Sequence, residues 1–399
     1  MRGCVVNLGC KVNRVESDSY EKAIAERGWS FVEADADLVG VNTCTVTGEA
    51  EKKTRKAVRQ VLRNHPRARV LVTGCAAAIS PDVFTSMDER VAVVGKAESL
   101  QKVFEVLDEL SASAAGVYEP KRTRVGVKVQ DGCDNACTYC IVHVARGRAH
   151  SHPLDEVRRE VVALAEAGVR EIVLSGINIG SYDFEGVRLA DMLKALLADT
   201  ECLHGEGEAP VRFRVSSIEP MDVSDEFIRL MASAGGRVCR HLHLPLQSGS
   251  SKVLREMARP YDAEDFRLLV DSIRTHVPEI SLSTDIIVGF PGETEEDFQD
   301  TLELARYCAF SKIHVFPYSK REGTPAAART DQVEHAVKLE RARILRRFSD
   351  ELRERDYAMR FGSTEYVLVE AEGLGMTESY HEIPVPSHLP QGALVPLNL

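Results

Sequence analysis

Several things are missing from this sequence, and each absence removes a class of function. No uninterrupted apolar run approaches the ~18 residues that a membrane helix needs. The opening residues, MRGCVVNLGCKVN, hold neither a long apolar h-region nor an A-x-A site, so no signal peptide is expected and the expected home is the cytoplasm. Ten cysteines in 399 residues are too sparse for a small disulfide scaffold, and their clustering points to metal instead. There is no low-complexity tract and no internal repeat beyond a βα rhythm. Positive charge is in deficit: 50 Lys and Arg face 61 Asp and Glu, a net charge of −11, which argues mildly against a nucleic-acid partner.

One further absence is local. "GCDNACTYC", residues 132–140, sets Cys133, Cys137 and Cys140 in one short loop and stops a cysteine short of the usual four zinc ligands. Three thiolates at C-x-x-x-C-x-x-C spacing can hold three corners of a 4Fe-4S cubane and leave the fourth iron open to a small chelating molecule. Iron–sulfur potentials span about −700 to +450 mV, so a cluster at the low end is a strong one-electron reductant. A zinc loop completed by His143 is the alternative.

What is present is an ordinary globular composition, 44% hydrophobic and 28% charged, in a chain long enough for two or three domains, one of barrel size. From residue 1 to about 112, "CVVNLGC", "DLVGVNTC" and "RVLVTGC" read as buried parallel strands with helical patterns between them. Each ends at a cysteine: Cys10, Cys44 and Cys75. The intervals of about one βα unit return all three to one carboxyl edge of one sheet. A shared metal or cluster explains that placement. Zinc with three thiolates and a water, a redox thiol set, or three packed small side chains are the alternatives. Cys4, Cys202, Cys239 and Cys308 have no partner spacing and read as packing.

A small polar linker spans 110–125. A second βα series then covers 122–356, with strands expected at 125–130, 170–176, 211–217, 240–247, 280–290 and 312–317 and a closing helix at 333–356. Six units suit an open partial (β/α)6 barrel, whose ligands sit at the carboxyl ends of the strands. Those ends carry the cysteine loop with Tyr139, then Gly176 and Asn178, Ser216, Ser217 and Glu219, Gln247, and Asp285. Glycine lets a ligand approach backbone, and the polar side chains suit ribose, adenine edges and an amino group. His241 and His243 share one strand face and read as packed or hydrogen-bonded. Residues 358–399 switch to short β-strands. Three basic runs stand out against the acidic whole: 51–63 with six basic residues and one acidic, 121–128 with four and none, and 338–356, where acids dilute them.

The whole chain resembles the radical SAM methylthiotransferases. The motifs that carry the resemblance are "LGCKVN" (8–13), "NTCTVT" (42–47), "TGC" (73–75), "CDNACTYC", "HLHLPLQSGS" (241–250) and "DIIVGFPGETEEDF" (285–298). The resemblance implies an α/β chain with a Rossmann-like N-terminal methylthiotransferase domain (1–112), a radical SAM core (122–356) and an abbreviated TRAM-like β segment (358–399). It implies two 4Fe-4S clusters. Cys133, Cys137 and Cys140 would hold the one that binds S-adenosylmethionine, while Cys10, Cys44 and Cys75 would hold the one that carries sulfur. It further implies cleavage of S-adenosylmethionine to a 5′-deoxyadenosyl radical and delivery of methylthio to C2 of an adenine. The stretch Cys10-Lys11-Val12-Asn13 resembles the branch acting on threonylcarbamoyladenosine beside the tRNA anticodon. The isopentenyladenosine branch usually reads GCQMN and the ribosomal-protein branch GCPKN. The expected partners are a tRNA anticodon stem-loop, an electron donor such as flavodoxin or ferredoxin, and a sulfur source. The chain departs from its relatives at "CIVHVARGRAHS", where His143-Val144 replaces Pro-Tyr and His150 replaces a basic residue, while Arg146 and Arg148 remain. The tail is short and poor in Lys and Arg, which moves the expected RNA contacts toward 51–63 and 338–356. A protein substrate, or an iron–sulfur or zinc RNA-binding regulator, is the competing reading.

Overall fold

Leu38–Thr43 is buried at every position, the signature of a parallel strand covered on both faces. In the computed structural model, which describes residues 1–45, 48–110, 122–205 and 208–399, it is one of five parallel strands. These are β1 (Arg2–Asn7), β2 (Ser30–Phe31), β3 (Leu38–Thr43), β4 (Arg69–Gly74) and β5 (Val91–Val93), in the order β2-β1-β3-β4-β5. The two edge strands, β2 and β5, are too short to produce an alternation and were not expected from the sequence. Helix α1 (Lys11–Glu26) buries Val12, Val15, Tyr20, Ala23 and Ile24, one stripe at helical spacing. Helix α2 (Gly48–Asn64) follows β3, and the short α3 (Cys75–Ile79) follows β4.

The chain divides into two compact units. One comprises Met1–Lys121 with Gly132–Asp134 and Ile141–Arg148, and the other Arg122–Asp131, Asn135–Cys140 and Ala149–Leu399. Most of the linker expected at 110–125 lies outside the described residues.

In the second unit six strands run parallel: β6 (Arg124–Lys128), β7 (Glu171–Ser175), β8 (Arg212–Val215), β9 (His241–His243), β10 (Ser281–Val288) and β11 (Lys312–Pro317). The bridges Phe213↔Val238 and Ser217↔His243 join β8 to the β9 side, which gives an open six-stranded series in sequence order. Strand β9 is much shorter than the 240–247 expected. Pro245 has no N–H to give the ladder, and Gln247 turns the chain at φ 70°, a left-handed value rare outside glycine.

The tail forms an antiparallel sheet of β12 (Thr364–Ala371), β13 (Leu374–Thr377), β14 (Glu382–Pro384) and β15 (Leu394–Asn398), ordered β14-β13-β12-β15. It docks through three buried charges. Glu171 accepts hydrogen bonds of 2.7 Å from both Arg212 and Arg214. Arg212 also donates to the carbonyls of Tyr366 and Met376, and Arg214 to those of Thr377 and Glu378. Because Glu171 and Arg212 open their strands, the sheet covers the amino-terminal ends, away from the carboxyl ends where barrel ligands sit. Of the cysteines read as packing, Cys239 and Cys308 are buried and Cys4 is half-buried. Cys202 is exposed, so packing does not account for it.

Candidate cluster and cofactor sites

Register brings the first cysteine set together. Asn7 pairs with Asn42, Asn42 with Thr73, and Thr43 with Gly74, so the carboxyl ends of β1, β3 and β4 are adjacent. Cys10 is the residue before α1, Cys44 follows β3 directly, and Cys75 opens α3. Gly9 shows how close they come: a Cβ there would lie 2.8 Å from Cys44 Cβ and 2.9 Å from its Sγ, so that position requires glycine, at φ 121°.

These residues fit an iron–sulfur cluster better than a single zinc. A zinc ion at about 2.3 Å from each sulfur would draw three thiolates to within about 3.8 Å of one another. Among the described residues only His243, Asp285 and His314 form a His/Cys/Asp/Glu group with ligand atoms all within 4.8 Å. The Cys10, Cys44 and Cys75 sulfurs are therefore set wider than one small ion requires.

Two residues that the motifs contain without a role of their own, Asn13 and Arg146, hold this edge. Asn13 donates to the carbonyls of Leu8 and Thr43, both at 2.9 Å, and its Oδ1 faces Cys10 Sγ at 3.7 Å. Arg146, from the segment after the second cysteine loop, donates to Asn13 Oδ1 at 2.7 Å and to Glu16 at 3.1 Å, with its side chain 1% exposed. Glu16 also receives Lys96 and Asn42.

The second loop is held from several directions. A Cβ on Gly132, at φ 70°, would run into the carbonyl of Arg148, so glycine is required immediately before Cys133. The Cys133 N–H donates to Gly147 O and the Cys140 N–H to Cys137 O, while Thr138 bonds Met257 O and Glu256 O. Arg259 donates to Cys137 Sγ at 3.2 Å, is ion-paired to Glu219 and reaches Tyr261 Oη at 3.0 Å. A sulfur that accepts a guanidinium N–H suits an anionic cluster. Tyr139 packs against the group formed by Val253, Met257 and Phe290, and burial pushes its phenol well above the ordinary value.

The expected shelf is only partly a set of open side chains. Gln130, unforeseen from the sequence, accepts the N–H groups of Ile177 and Asn178 at 3.0 Å and packs against Gly176. Asn178 donates to Asp222 at 2.5 Å and accepts from the Glu219 N–H, so it braces the loop that carries Glu219. Burial, reinforced by Asp222 and Asp285, pushes the Glu219 carboxyl up despite Arg259. Ser216 is buried, with its N–H on Leu174 O, and the Ser217 carbonyl accepts from Ile179. Gln247 and Asp285 meet through backbone, Gln247 N to Asp285 O at 2.8 Å. The Asp285 side chain lies 3.3 Å from His243. His241 and His243 both bond Ser283 at 3.0 Å, as the sequence reading expected.

With this geometry in hand, comparison with known proteins is informative. The family model "Uncharacterized protein family UPF0004" matches residues 2–95 and "Radical SAM superfamily" matches 127–305. The chain is 37% identical over 392 residues to the threonylcarbamoyladenosine tRNA methylthiotransferase MtaB of Bacillus subtilis, covering 93% of this chain and 85% of that protein. It is 38% identical over 359 residues to the same-named protein of Thermotoga maritima, covering 86% and 80%. Among solved structures, the radical S-adenosylmethionine methyltransferase TsrM of Kitasatospora setae superposes with a TM-score of 0.57 at 15% identity, covering 82% of this chain and 77% of that one, a likeness of fold. Fold, family matches and 37–38% identity over most of the chain agree: the chain belongs to the radical SAM methylthiotransferases.

Proposed function

We infer that this chain is a tRNA methylthiotransferase that replaces the C2 hydrogen of N6-threonylcarbamoyladenosine, next to the anticodon, with a methylthio group. The observation that carries the reading is the pair of three-cysteine sets, one on a single parallel-sheet edge and one in the loop heading a six-stranded barrel, in a chain so similar to the MtaB proteins. The C2 hydrogen is not acidic, so a general base has little purchase on it, and radical chemistry avoids that limit. When bound, the cluster and S-adenosylmethionine supply one-electron cleavage chemistry, and the second cluster supplies the sulfur.

The chain's own residues do the holding. Cys133, Cys137 and Cys140 bind the first cluster, with Arg259 directed at Cys137. Cys10, Cys44 and Cys75 bind the second, kept in register by Asn13. Tyr139, Gly176, Asn178, Ser216, Ser217, Glu219, Gln247 and Asp285 surround the S-adenosylmethionine position. Of these, Asn178 braces and Glu219 presents a carboxylate to the amino group. A flavodoxin or ferredoxin as reductant, a separate sulfur source and a cytoplasmic setting complete the proposal; no helix of the described residues is long and apolar enough to cross a membrane.

Two cysteine variants test it. Cys133→Ala should abolish both 5′-deoxyadenosine formation and product. Cys44→Ala should retain 5′-deoxyadenosine formation and lose sulfur transfer. Loss of stability alone in Cys44→Ala would remove the sulfur-donor role.

A further inference from the structure

The tail contains one Lys or Arg, Arg360, and that side chain is buried against Asp356 and Glu365. The tail's acidic residues Glu365 and Glu378 are buried as well, the latter on Arg240. A surface of this kind offers no cation to a phosphate backbone, so the electrostatic footprint of an RNA must lie elsewhere.

Once folded, the three basic runs differ in arrangement: Arg122, Arg346 and Arg355 are exposed with no ion pair among the described residues, but Arg122 stands alone and Arg346 and Arg355, nine residues apart, lie on opposite faces of their helix. On the helix His335–Ala358, Arg341 is buried on Glu293, Arg343 pairs with Glu340 and Arg347 with Glu351. In the run 121–128, Arg124 is paired with Glu370 and Lys128 with Asp131, and Lys121 lies outside the described residues. Helix α2 is different. Thr54, Val58 and Val61 face inward, while Lys52, Lys56, Arg59 and Arg63 are exposed at spacings of four, three and four, which is one helix face. Among the described residues no carboxylate lies within ion-pair distance of these four. Arg55, off that row, is the residue that Glu51 neutralises. From Lys52 to Arg63 the row is about 16 Å long at ~1.5 Å per residue. In a chain of net charge −11 this concentration of unmatched cations is local and directional.

We propose that the Lys52–Lys56–Arg59–Arg63 face of α2 is the docking surface for the phosphate backbone of the substrate RNA. This rests on the tRNA reading above and adds to it where the RNA is gripped. The helix begins four residues after Cys44, so the grip and the sulfur-bearing edge are parts of one unit. Contacts of this type position an RNA without reading its sequence. Base selection then falls to other residues.

The test is binding of a fluorescein-labelled, unmodified anticodon stem-loop transcript to the reconstituted full-length protein, by anisotropy across a salt series. Each phosphate contact adds about −0.7 to −0.9 to the log–log salt slope. The quadruple variant Lys52→Gln, Lys56→Gln, Arg59→Gln, Arg63→Gln should therefore lose about three from that slope and weaken binding on the order of 10-fold or more at moderate salt. Arg343→Gln with Arg347→Gln should bind as the parent does. Arg59→Lys with Arg63→Lys keeps the charge and should do the same. If the quadruple variant folds poorly by circular dichroism, Lys56→Glu alone should still lower affinity and slope. A quadruple variant with the parent's affinity and slope would overturn the docking surface while leaving the tRNA reading intact. A parent protein that binds no RNA would overturn both.

Discussion

Arg146 donates a 2.7 Å hydrogen bond to Oδ1 of Asn13, and Asn13 ties together the carbonyls of Leu8 and Thr43. Leu8 lies two residues before Cys10, and Thr43, the last residue of β3, directly precedes Cys44. A residue from the segment after the second cysteine loop thus supports the edge that carries the first cysteine set. Asn13→Ala would leave the buried carbonyl of Thr43 and the half-buried one of Leu8 without this partner, a cost of about 1–3 kcal/mol. Its larger effect should be on metal. Iron and sulfide content should fall by about half, with the loss confined to the cluster at Cys10, Cys44 and Cys75. Mössbauer or EPR spectra of the reconstituted variant, compared with Cys44→Ala, would check this. Full occupancy of both clusters would contradict it.

Arg259 bonds the sulfur of Cys137 from a nearly closed position. Hydrogen bonds to cluster sulfurs raise the reduction potential, and partners of this kind typically contribute 10–100-fold to affinity or activity. Arg259→Met should make the potential of that cluster more negative and slow S-adenosylmethionine cleavage by about 10–100-fold. Redox titration followed by EPR gives the potential directly. An unchanged potential would show that the Cys137 contact has no electronic effect.

The docking of the tail depends on Glu171. Although burial alone would raise its carboxyl, Arg212 and Arg214 hold it at about 2, below its ordinary 4.5. A depressed carboxylate stabilises the fold fully above the unfolded value, and that stability drains away as pH falls from about 4.5 toward about 2. Amide protection factors across 364–398, taken against the intrinsic exchange rate at each pH, should therefore fall on acidification through that window. Glu171→Gln strands two buried guanidinium groups and should cost about 3–5 kcal/mol at neutral pH, read by chemical denaturation. Equal stability of parent and variant at pH 7 would refute the account of docking.

Gly132 makes a geometric prediction. Alanine there must both adopt a left-handed backbone and displace the carbonyl of Arg148, so it should shift Cys133. Gly132→Ala should lose most of the S-adenosylmethionine-binding cluster, seen as lost 5′-deoxyadenosine formation, while the cluster at Cys10, Cys44 and Cys75 stays. Parent-level cleavage would show that the loop accommodates a side chain.

What could be read from the sequence follows from the physics of each feature. Spacing by whole βα units was enough to place Cys10, Cys44 and Cys75 on one edge, because parallel strands return to the same end and the register then fixes their order. The six barrel strands were legible for the same reason, except β9, where a proline and a left-handed glutamine cut the pairing short. Strands β2 and β5 were invisible because two or three residues carry no periodicity. Asn13 was noticed only as part of GCKVN. Its role depends on two carbonyls and on an arginine more than a hundred residues away, and no local pattern encodes that. Gln130 and Arg259 were missed likewise: each is a single polar residue whose partners are distant in sequence. The acids that dilute 338–356 were visible in the sequence, but the pairing of Arg124 with Glu370, far along the chain, was not.

The central claim is the reaction and its substrate. The most direct measurement is to express the protein in a bacterial strain lacking its own threonylcarbamoyladenosine methylthiotransferase and to analyse digested tRNA nucleosides by mass spectrometry. The account predicts 2-methylthio-N6-threonylcarbamoyladenosine in that tRNA, dependent on both Cys44 and Cys133. Its absence, with the protein present, both clusters loaded and S-adenosylmethionine cleaved in vitro, would contradict the substrate assignment.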